Sequence, residues 1–443
     1  MDKISRHPII EIQKSEQHSF LFNGKTVVGD KGFTIAAALH QAGYPIHSHS
    51  LKHRERSLQC GIGKCGACEM LVDGQIKRIC ITPVDGIKEV AELPRDYIPA
   101  AVQFYDNPIK IYKTTVAIIG AGPAGLAARD ILNNHNINNI VIDNNSKIGG
   151  QFLMQTHQFF FFEKEKKYGG MRGFDIAKNL AGNNTEGIFL NSTVWDIFDN
   201  KRLAVKNINT SEIYFIDAEI LIVATGAIPF MPVFENDDLP GVYTAAVIQK
   251  MMNLELTLLG KNILTVGAGN IGYLTSYQLM QAGAKVKAII EAQPFEGGFN
   301  VQANRIRRSG IPILTSCMLL KAIPDEKHQK VTGAIIAKCE NFNPIKGTEK
   351  ILTGIDAINI CTGLVPDDQL IIKGNEVFGR HCYSAGDATK IGEGTSAVLK
   401  GKQVAYEVLQ ELNKKINYDE FLSISKEYID SQQHPIKIKD NVY

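Results

Sequence analysis

The pattern of apolar and polar positions changes character at about residue 114 of the chain. Before that point, residues 18–29 (HSFLFNGKTVVG) alternate on both sides of an Asn-Gly pair, which predicts a β-hairpin. The next stretch, FTIAAALHQAGY, predicts a short helix that ends at Gly43. A second strand–turn–strand pattern, CEMLVDGQIKRICITPV, has Asp-Gly at its turn. The first hundred residues therefore predict a small α+β domain, followed by a weakly periodic linker at about 93–113.

From Thr114 onward, the pattern becomes apolar strand, glycine-rich turn, helix and strand. This order is typical of a βαβ unit in a parallel sheet. A second unit of the same kind begins at Lys261, and no repeat with a period of 20–50 residues is visible. The fold class predicted for this part of the chain is α/β, with two Rossmann-like domains that follow the small N-terminal domain.

Length and charge narrow the class of protein. A chain of 443 residues is too long for one ordinary core and favours about three domains. The formal net charge is +2 and no basic run accompanies it, so neither nucleic acid nor an anionic membrane surface is expected as a partner. The first 17 residues hold no apolar leader, and no apolar stretch is long enough to span a bilayer, so a cytoplasmic location is expected.

Four of the eight cysteines are candidate metal ligands. Cys60, Cys65 and Cys68 fit the spacing C-x4-C-x2-C, and Cys80 follows the predicted hairpin. The glycines between them let backbone amides approach the sulfurs, which favours a [2Fe–2S] cluster. Structural zinc, which more often uses two close cysteine pairs, and ordinary free cysteines are the alternatives. The remaining cysteines are expected to be buried small side chains: Cys317, Cys339, Cys361 and Cys382.

The first glycine-rich turn predicts a dinucleotide site. Gly120, Gly122 and Gly125 lie between an apolar strand and a helix, and Asp143 ends the next strand. The glycines permit a tight turn and let a pyrophosphate approach the N-terminus of the helix. The Asp143 carboxylate can accept a hydrogen bond from a ribose hydroxyl. A purely structural glycine turn is the alternative.

The second turn repeats this design with Gly267, Gly269, Gly272 and Glu291. A carboxylate at the last position accepts from a free ribose 2′-hydroxyl and would repel a 2′-phosphate, which favours NAD over NADP. A fold that no longer binds a nucleotide is a second interpretation. Three nearby arginines could accommodate a phosphate, although a solvated helix face explains them as well: Arg305, Arg307 and Arg308.

Several motifs resemble those of a known family. CGIGKCGACEMLVDGQIKRIC resembles the [2Fe–2S] loop of ferredoxin-like domains, and GYPIHSHSLKHRERSLQCGIGKCGAC is similar to the N-terminal domain of the family that contains the alpha chain of sarcosine oxidase, hydrogen cyanide synthase and opine oxidase. ILIVATGAIP and CYSAGDATKIGEGTSA resemble two FAD landmarks of the pyridine nucleotide-disulfide oxidoreductase superfamily. The resemblance implies that the first fold binds FAD. It also implies further FAD contacts, at Gly150, Gln151, Thr225, Gly226, Gly386, Asp387, Thr395 and Ser396.

In that superfamily, the Asp387 position holds the ribityl chain, the helix start at Thr395-Ser396 points at the flavin ring, and Gly149-Gly150-Gln151 lies along it. INICTGLVP resembles the second crossover of the superfamily, so the second Rossmann-like fold is expected to be an insertion in the first. The predicted domains are a [2Fe–2S] ferredoxin-like domain at 1–100, an FAD-binding domain in two parts at 101–239 and 363–443, and an NAD(P)-type domain at 240–362.

The chain has no CxxC or CxxxxC pair outside the cysteine-rich loop, which disfavours disulfide-reductase chemistry. No catalytic residue is predicted, and His157 and His381 are expected to be structural or surface side chains. The run Phe159–Phe162 could cover a flavin or face a partner, but it is more simply explained as core.

The function implied by the resemblance is an FAD- and [2Fe–2S]-dependent oxidoreductase that moves electrons between NAD(H), the flavin and the cluster. The alternative is an electron-transfer subunit of an amine, imino-acid or opine dehydrogenase. In that case the substrate site would lie on a partner, which would be a D-amino-acid-oxidase-like flavoprotein. An external electron carrier is the other expected partner, and an oligomer is expected.

Overall fold

The computed structural model describes residues 2–50, 54–94, 97–98, 109–159 and 168–433. These residues form two compact units. The first unit combines residues within 1–97 with residues 229–363, and the second combines residues within 98–228 with residues within 364–435. Most of the predicted linker at 93–113 and the phenylalanines after Phe159 lie outside the described residues.

The N-terminal part of the first unit is a small α+β domain. Two hairpins turn at Asn23-Gly24 and Asp73-Gly74, and all four of these residues have positive φ, as a two-residue hairpin turn requires. Both hairpins and the short helix agree with the sequence-based predictions. The elements in chain order are β1 Asp2–Lys3, β2 Gln17–Phe22, β3 Lys25–Asp30, α1 Ile35–Gln41, β4 Ser48–His49, β5 Glu55–Arg56, β6 Glu69–Val72, β7 Gln75–Arg78 and β8 Glu89–Glu92.

Strands β2, β3, β6, β7 and β8 form one mixed sheet in the order β3-β2-β8-β6-β7. Helix α1 is capped by Thr34, whose hydroxyl accepts from the backbone N–H of Ala37. Its residues Ile35 to His40 are buried. The cysteine-rich stretch begins between β5 and β6 and ends just after β7. It therefore includes strands β6 and β7 of this sheet.

The chain then enters the second unit. The apolar runs predicted as strands are buried on both faces, as the central strands of a parallel sheet must be. The elements are β9 Lys110–Ile119, α2 Pro123–Asn134, β10 Asn139–Ile142, α3 Gly173–Ala181, β11 Ile188–Phe189, β12 Ser192–Phe198, β13 Arg202–Asn207, β14 Ile213–Val223 and β15 Ala227–Pro229.

The next segment returns to the first unit and builds the second Rossmann-like fold. Its elements are β16 Val242–Thr244, α4 Ala245–Asn253, β17 Thr257–Leu258, β18 Asn262–Val266, α5 Asn270–Gln281, β19 Lys285–Ile290, α6 Asn300–Arg308, β20 Ile313–Leu314, β21 Cys317–Pro324, β22 Val331–Glu340, β23 Asn343–Pro344, β24 Lys350–Thr353 and β25 Ala357–Ile360. A parallel sheet has the order β16-β25-β18-β19-β20, and β21 to β24 form a separate antiparallel sheet. Strand β17 pairs with β1, which joins the N-terminus to this fold.

The last elements complete the second unit: β26 Leu364–Pro366, α7 Gln369–Phe378, β27 Cys382–Ser384, α8 Gly394–Glu411 and α9 Tyr418–Gln433. Strands β11, β10, β9, β14 and β27 are adjacent and parallel, in that order. The two crossover strands, β15 and β26, form a two-stranded sheet. Within the described ranges, no helix has both the length and the apolar character needed to cross a membrane.

The chain leaves the second unit after residue 228 and returns to it at 364. The predicted domain borders are 239/240 and 362/363. The division of the first unit into a cysteine-rich domain at 1–100 and an NAD(P)-type domain at 240–362 stays a prediction, because both lie in that unit.

Candidate cluster and dinucleotide sites

The four predicted metal ligands converge at the loop that runs from Cys60 to Cys80, here called the cluster loop. Cys60, Cys68 and Cys80 are buried, and Cys65 is exposed. The Cys60 sulfur accepts from the backbone N–H groups of Lys64 (3.4 Å) and Cys65 (3.5 Å). It also contacts the thiols of Cys65 and Cys80. The set therefore has three buried sulfurs and one at the rim.

The contacts between the sulfurs shift their proton affinities in opposite directions. Hydrogen bonds from Cys65 and Cys80 hold the pKa of Cys60 far below its ordinary value, and the bond to Cys60 raises the pKa of Cys65. Likewise, a hydrogen bond from Cys80 lowers the pKa of Cys68, while the bond to Cys60 raises the pKa of Cys80. Sulfurs this close share protons in the absence of metal, and metal charge would hold all four as thiolates.

The donor set suits an iron–sulfur cluster, which is bound by four thiolates. Within the described part of the chain, no three His, Cys, Asp or Glu side chains are arranged around one point as a single metal ion requires. The fit to a cluster rests on the convergence and the chemistry of the four thiols.

Glycine is required within the cluster loop at Gly63. This residue has φ +73°, and a Cβ there would lie 2.6 Å from Cδ1 of Ile81. The Arg78 guanidinium donates to the Gly63 carbonyl (2.6 Å) and to the Glu69 carboxylate (3.0 Å). These bonds hold Gly63 close to the strand pair β6–β7. Cys68 precedes β6, and Cys80 follows β7.

The cluster loop also rests on helix α4 of the second Rossmann-like fold. The Thr244 hydroxyl donates to the Gln59 carbonyl (2.6 Å), and the Lys250 ammonium donates to the carbonyls of Gly61 (3.0 Å) and Cys80 (2.7 Å). Between these two residues, Val247 packs within 3.2 Å of the position of a Cβ on Gly61. These contacts could not be predicted from the sequence, because nothing near residue 250 indicates a metal site.

The first dinucleotide turn has the geometry expected from its sequence. Gly120 follows β9 with φ +115°, and Gly122 is the N-cap of α2. A Cβ on Gly125 would lie 1.9 Å from the Gly120 carbonyl oxygen, so only glycine fits there. Asp143 follows β10, and its Oδ2 accepts from the backbone N–H of Ala121 at 2.7 Å. The carboxylate thus lies beside the N-terminus of α2.

The segment with Gly149, Gly150 and Gln151 folds back onto the same turn. The backbone N–H of Gly149 donates to the Ala121 carbonyl (2.9 Å), and Gly150 lies so close that a Cβ there would be 2.8 Å from Cα of Gly122. Gln151 is exposed in the 3₁₀ turn that follows. The structure therefore brings this segment onto the glycine turn.

Thr225 and Gly226 follow the end of β14, next to the first glycine turn. A Cβ on Gly120 would lie 2.2 Å from the carbonyl oxygen of Ala224. The Thr225 hydroxyl donates to the Asp367 carbonyl (2.6 Å), and the Asp367 N–H donates to the Gly226 carbonyl (3.0 Å). Through these two bonds Asp367, which follows β26, is joined to the segment that follows β14. No role for Asp367 was predicted from the sequence.

Gly386 and Asp387 follow β27, beside the first turn of α2. A Cβ on Gly386 would lie 2.9 Å from Cβ of Ala124. Burial raises the pKa of the Asp387 carboxyl to about 6, although it accepts a hydrogen bond from the N–H of Gly392 (3.1 Å). Ionised Asp387 therefore lacks part of the hydration that a surface carboxylate would have.

Thr395 and Ser396 are buried in the first turn of α8. The Ser396 hydroxyl bonds to the Ser431 hydroxyl of α9 at 2.9 Å. The last described helix therefore supports the N-terminus of α8, a contact that the sequence analysis did not anticipate.

The second dinucleotide turn repeats the first almost bond for bond. Gly267 follows β18 with φ +108°, and Gly269 is the N-cap of α5. A Cβ on Gly272 would lie 2.0 Å from the Gly267 carbonyl oxygen. Oε2 of Glu291 accepts from the backbone N–H of Ala268 at 2.8 Å, as Asp143 does from Ala121. The two folds therefore place a carboxylate at equivalent positions.

The repetition extends to a double glycine. Gly297 stands six residues after Glu291, as Gly149 stands six residues after Asp143. Its N–H donates to the Ala268 carbonyl at 3.0 Å, the counterpart of the bond from Gly149 to Ala121. The spacing of this repeat is a signal that the sequence alone contains, in addition to the residues predicted from it.

Two of the three arginines beyond Glu291 have partners within the same fold. Arg307 forms an ion pair with Glu296, which also accepts from the Tyr273 hydroxyl at 3.1 Å. The Arg305 guanidinium lies 4.9 Å from the centroid of the Tyr277 ring. These contacts favour a structural role for Arg305 and Arg307.

The cysteines outside the cluster loop are weakly acidic thiols. Burial raises the pKa of Cys382 to about 11, and it raises the pKa values of Cys317, Cys339 and Cys361. All four are therefore protonated at neutral pH, unlike the thiolate of a disulfide reductase.

The aromatic and histidine side chains outside these sites make ordinary packing contacts. Phe159 packs against a core cluster of the second unit, where its ring centroid lies 5.1 Å from that of Phe152. The centroid of the His157 ring lies 4.4 Å from that of the Phe159 ring, and the His381 ring forms a hydrogen bond with the Glu411 carboxylate. These contacts match the structural roles expected for Phe159 and the two histidines.

Two Rossmann-like folds with matching carboxylates, preceded by a four-cysteine domain, define an iron–sulfur flavoprotein of the two-dinucleotide class. The family described as pyridine nucleotide-disulphide oxidoreductase matches residues 114–386, and the 2Fe-2S iron-sulfur cluster binding domain matches residues 15–91. The chain belongs to the pyridine nucleotide-disulphide oxidoreductase family. These matches confirm the predicted fold class, the oxidoreductase class, and FAD, NAD(P) and [2Fe–2S] as the cofactors.

Curated relatives and a solved structure agree with this assignment. The alpha chain of sarcosine oxidase from Rhizobium meliloti (strain 1021) is 24% identical over 302 residues, which are 63% of this chain and 29% of that protein. An opine oxidase chain of the same organism is 24% identical over 336 residues, 68% of this chain and 72% of that protein. The crystal structure of L-proline dehydrogenase from P. horikoshii is similar in fold, with a TM-score of 0.69 at 18% identity, over 96% of this chain and 79% of that one. This chain therefore matches under a third of the length of the sarcosine oxidase chain.

Proposed function

We propose that this protein is an NAD-linked oxidoreductase that moves electrons between NAD(H), FAD and a [2Fe–2S] cluster. The observation that supports this most strongly is the repeated bond between a strand-end carboxylate and a glycine turn. Asp143 makes it to Ala121, and Glu291 makes it to Ala268. Two turns of the same geometry in one chain suit two dinucleotides.

FAD is assigned to the second unit. The N-terminus of α2 would receive the pyrophosphate, and among the described residues no atom outside Gly122 and its two neighbours in the chain lies within 4 Å of a Cβ placed on Gly122. The Asp143 carboxylate is oriented by the N–H groups of Ala121 and Asn145, each at 2.7 Å, and would accept from the ribose. The other FAD contacts proposed are those of the sequence analysis: Gly120, Gly125, Gly150, Gln151, Thr225, Gly226, Gly386, Asp387, Thr395 and Ser396.

NAD is assigned to the second Rossmann-like fold through Gly267, Gly269, Gly272 and Glu291. Oε1 of Glu291 accepts from the Gln293 N–H at 2.9 Å, and Oε2 accepts from Ala268, so the carboxylate is fixed at the edge of the turn. This position favours a free 2′-hydroxyl over a phosphate. The ion pair of Arg307 with Glu296 supports the same choice, because it neutralises a cation that a phosphate would need.

The cluster is assigned to Cys60, Cys65, Cys68 and Cys80. Bound FAD would supply the exchange between hydride transfer and single-electron transfer. The chain contributes a buried pocket for three ligands and exposes the fourth, Cys65. That rim is the side from which an external one-electron carrier could approach the cluster.

Anaerobic titration with NADH tests the proposal. Purified protein should contain FAD, two irons and two sulfides per chain, and NADH should bleach the flavin absorbance and then the cluster absorbance. NADPH at the same concentration should act more slowly. Flavin that stays oxidised under NADH would refute NAD-linked activity, and zinc in place of iron would refute the cluster.

A second candidate is an electron-transfer subunit of an amine-, imino-acid- or opine-oxidising assembly. Two relatives are named as subunits, one of sarcosine oxidase and one of opine oxidase, which supports this alternative. The substrate site would then lie on a D-amino-acid-oxidase-like partner. Flavin reduction by an amine only in the presence of a copurified partner, without reduction by NADH, would favour the subunit over the NAD-linked enzyme.

A further inference from the structure

Helix α4 touches both ends of the cluster loop with one basic side chain. The Lys250 ammonium donates to the carbonyl of Gly61, the neighbour of the first ligand, and to the carbonyl of Cys80, the last ligand. Its nitrogen is 3.0 Å and 2.7 Å from these oxygens. Lys250 thus bridges the two ends of the ligand set from another domain of the same unit.

The position of Lys250 is fixed by the helix that carries it. Thr244 is the N-cap of α4, and Val247 and Lys250 follow at intervals of three residues on the same side of the helix. All three contact the cluster loop or the residue before it. Thr244 and Lys250 donate hydrogen bonds to backbone carbonyls, and Val247 packs on Gly61. The ammonium therefore has a defined place beside the loop.

The charge of Lys250 is not neutralised by an acid. In the described part of the chain, its hydrogen bonds go to carbonyl oxygens and no carboxylate pairs with it. Arg78, one of the loop's own cations, differs because Glu69 accepts from it at 3.0 Å. The charge of Lys250 therefore acts on the sulfurs without a carboxylate partner that would offset it.

We propose that Lys250 raises the reduction potential of the cluster. One electron enters a [2Fe–2S] cluster on reduction and adds one negative charge, which a fixed cation stabilises. The effect acts through space and needs no contact with iron or sulfide, so Lys250 is a positioning and tuning residue. This inference rests on the proposed cluster at the four cysteines.

Potentiometric titration of the intact protein, followed by the EPR signal of the reduced cluster, tests this role. Lys250→Gln keeps a hydrogen-bond donor and removes the charge, whereas Lys250→Arg keeps the charge. At a fixed potential near the wild-type midpoint, the ratio of reduced to oxidised cluster should fall about tenfold in Lys250→Gln. This is the order of effect of one unit charge at about 10 Å with an effective dielectric constant of about 20. Lys250→Arg should stay close to wild type.

The matched control is Lys346→Gln, which removes the same charge from an exposed loop and should leave the midpoint unchanged. Iron and sulfide are measured first in every variant. Loss of iron from Lys250→Gln but not from Lys250→Arg would show that the charge retains the cluster rather than tuning its potential, which would contradict the proposal. An unchanged midpoint in Lys250→Gln, or equal shifts or losses in both variants, would overturn it. A wild-type protein without iron and sulfide would instead overturn the proposed cluster itself.

Discussion

The Glu291 carboxylate accepts a hydrogen bond from the backbone N–H of Ala268 at 2.8 Å, at the edge of the second glycine turn. A second N–H, that of Gln293, holds the other carboxylate oxygen at 2.9 Å. Each oxygen keeps lone pairs after accepting one bond, so the group remains able to accept from a ribose. The side chain is therefore oriented before any nucleotide binds, which lowers the ordering cost of binding.

Replacement of Glu291 by Gln should weaken NADH binding and relax the discrimination against NADPH. A hydrogen bond to a charged group contributes roughly 1.5–3 kcal/mol, so the dissociation constant for NADH should rise about tenfold or more. The constant is measured by anaerobic titration, with flavin reduction as the signal. Glu349→Gln, at an exposed position, is the control. Equal NADH affinity in Glu291→Gln and wild type would contradict the assigned role.

Alanine at Gly125 and alanine at Gly272 should separate the two nucleotide sites. In both variants the new Cβ would meet a carbonyl oxygen, at 1.9 Å for Gly125 and 2.0 Å for Gly272. Such contacts force the backbone to shift and cost on the order of 2 kcal/mol or more. Gly125→Ala should purify with little flavin. Gly272→Ala should keep its flavin and lose the response to NADH.

Each of these two variants is the control for the other. The absorbance spectrum and the FAD-to-protein ratio report the first site, and the rate of bleaching by NADH reports the second. If Gly272→Ala lost flavin as fully as Gly125→Ala, the assignment of separate sites would be wrong.

Local patterns predicted much of this fold. The turn at Asn23-Gly24 and the glycine turns at Gly120 and Gly267 need particular residue types at fixed spacing, so the sequence alone indicates them. The bond from Ala268 to Glu291 spans 23 residues, yet it follows from the order of strand, turn, helix and strand. For the same reason, the positions of Asp143 and Glu291 could be anticipated.

Contacts between distant segments could not be anticipated in this way. Lys250 reaches a carbonyl 189 residues earlier in the chain, and Thr225 reaches one 142 residues later. Neither contact leaves a periodic or compositional signal near either partner. They depend on how the cysteine-rich domain packs on α4 and how the crossover strands meet, which is tertiary information.

Cys65→Ser should remove the cluster from the protein. A serine hydroxyl is far less acidic than a thiol and replaces one of four thiolate ligands, so the reduced protein should lose its EPR signal and most of its iron. The control is Cys339→Ser, because that thiol donates to the Ala292 carbonyl at 3.3 Å and a hydroxyl can keep the bond. Iron analysis checks both variants. Full iron content in Cys65→Ser would exclude Cys65 as a ligand.

Asp387 gives a prediction about pH, because burial raises the pKa of its carboxyl to about 6 from an ordinary value near 3.8. In the flavin-free protein, the folded state therefore holds the proton more tightly than the unfolded state. The stabilising contribution of the neutral carboxyl is complete below about pH 4 and is lost as the pH rises through about 6. The loss amounts to about 3 kcal/mol at most.

Asp387→Asn should abolish this loss. Urea unfolding of the flavin-free protein should show the variant more stable than wild type at pH 7 and about equal at pH 4, whereas the exposed Asp199→Asn should change neither value. The same variant should bind FAD more weakly at pH 7, because it lacks the carboxylate proposed to accept from the ribityl chain. If Asp387→Asn gained stability and lost affinity for FAD, the buried charge of Asp387 would favour FAD binding while it destabilises the flavin-free protein. Equal stability of Asp387→Asn and wild type at pH 7 would show that the carboxylate is not strained by burial.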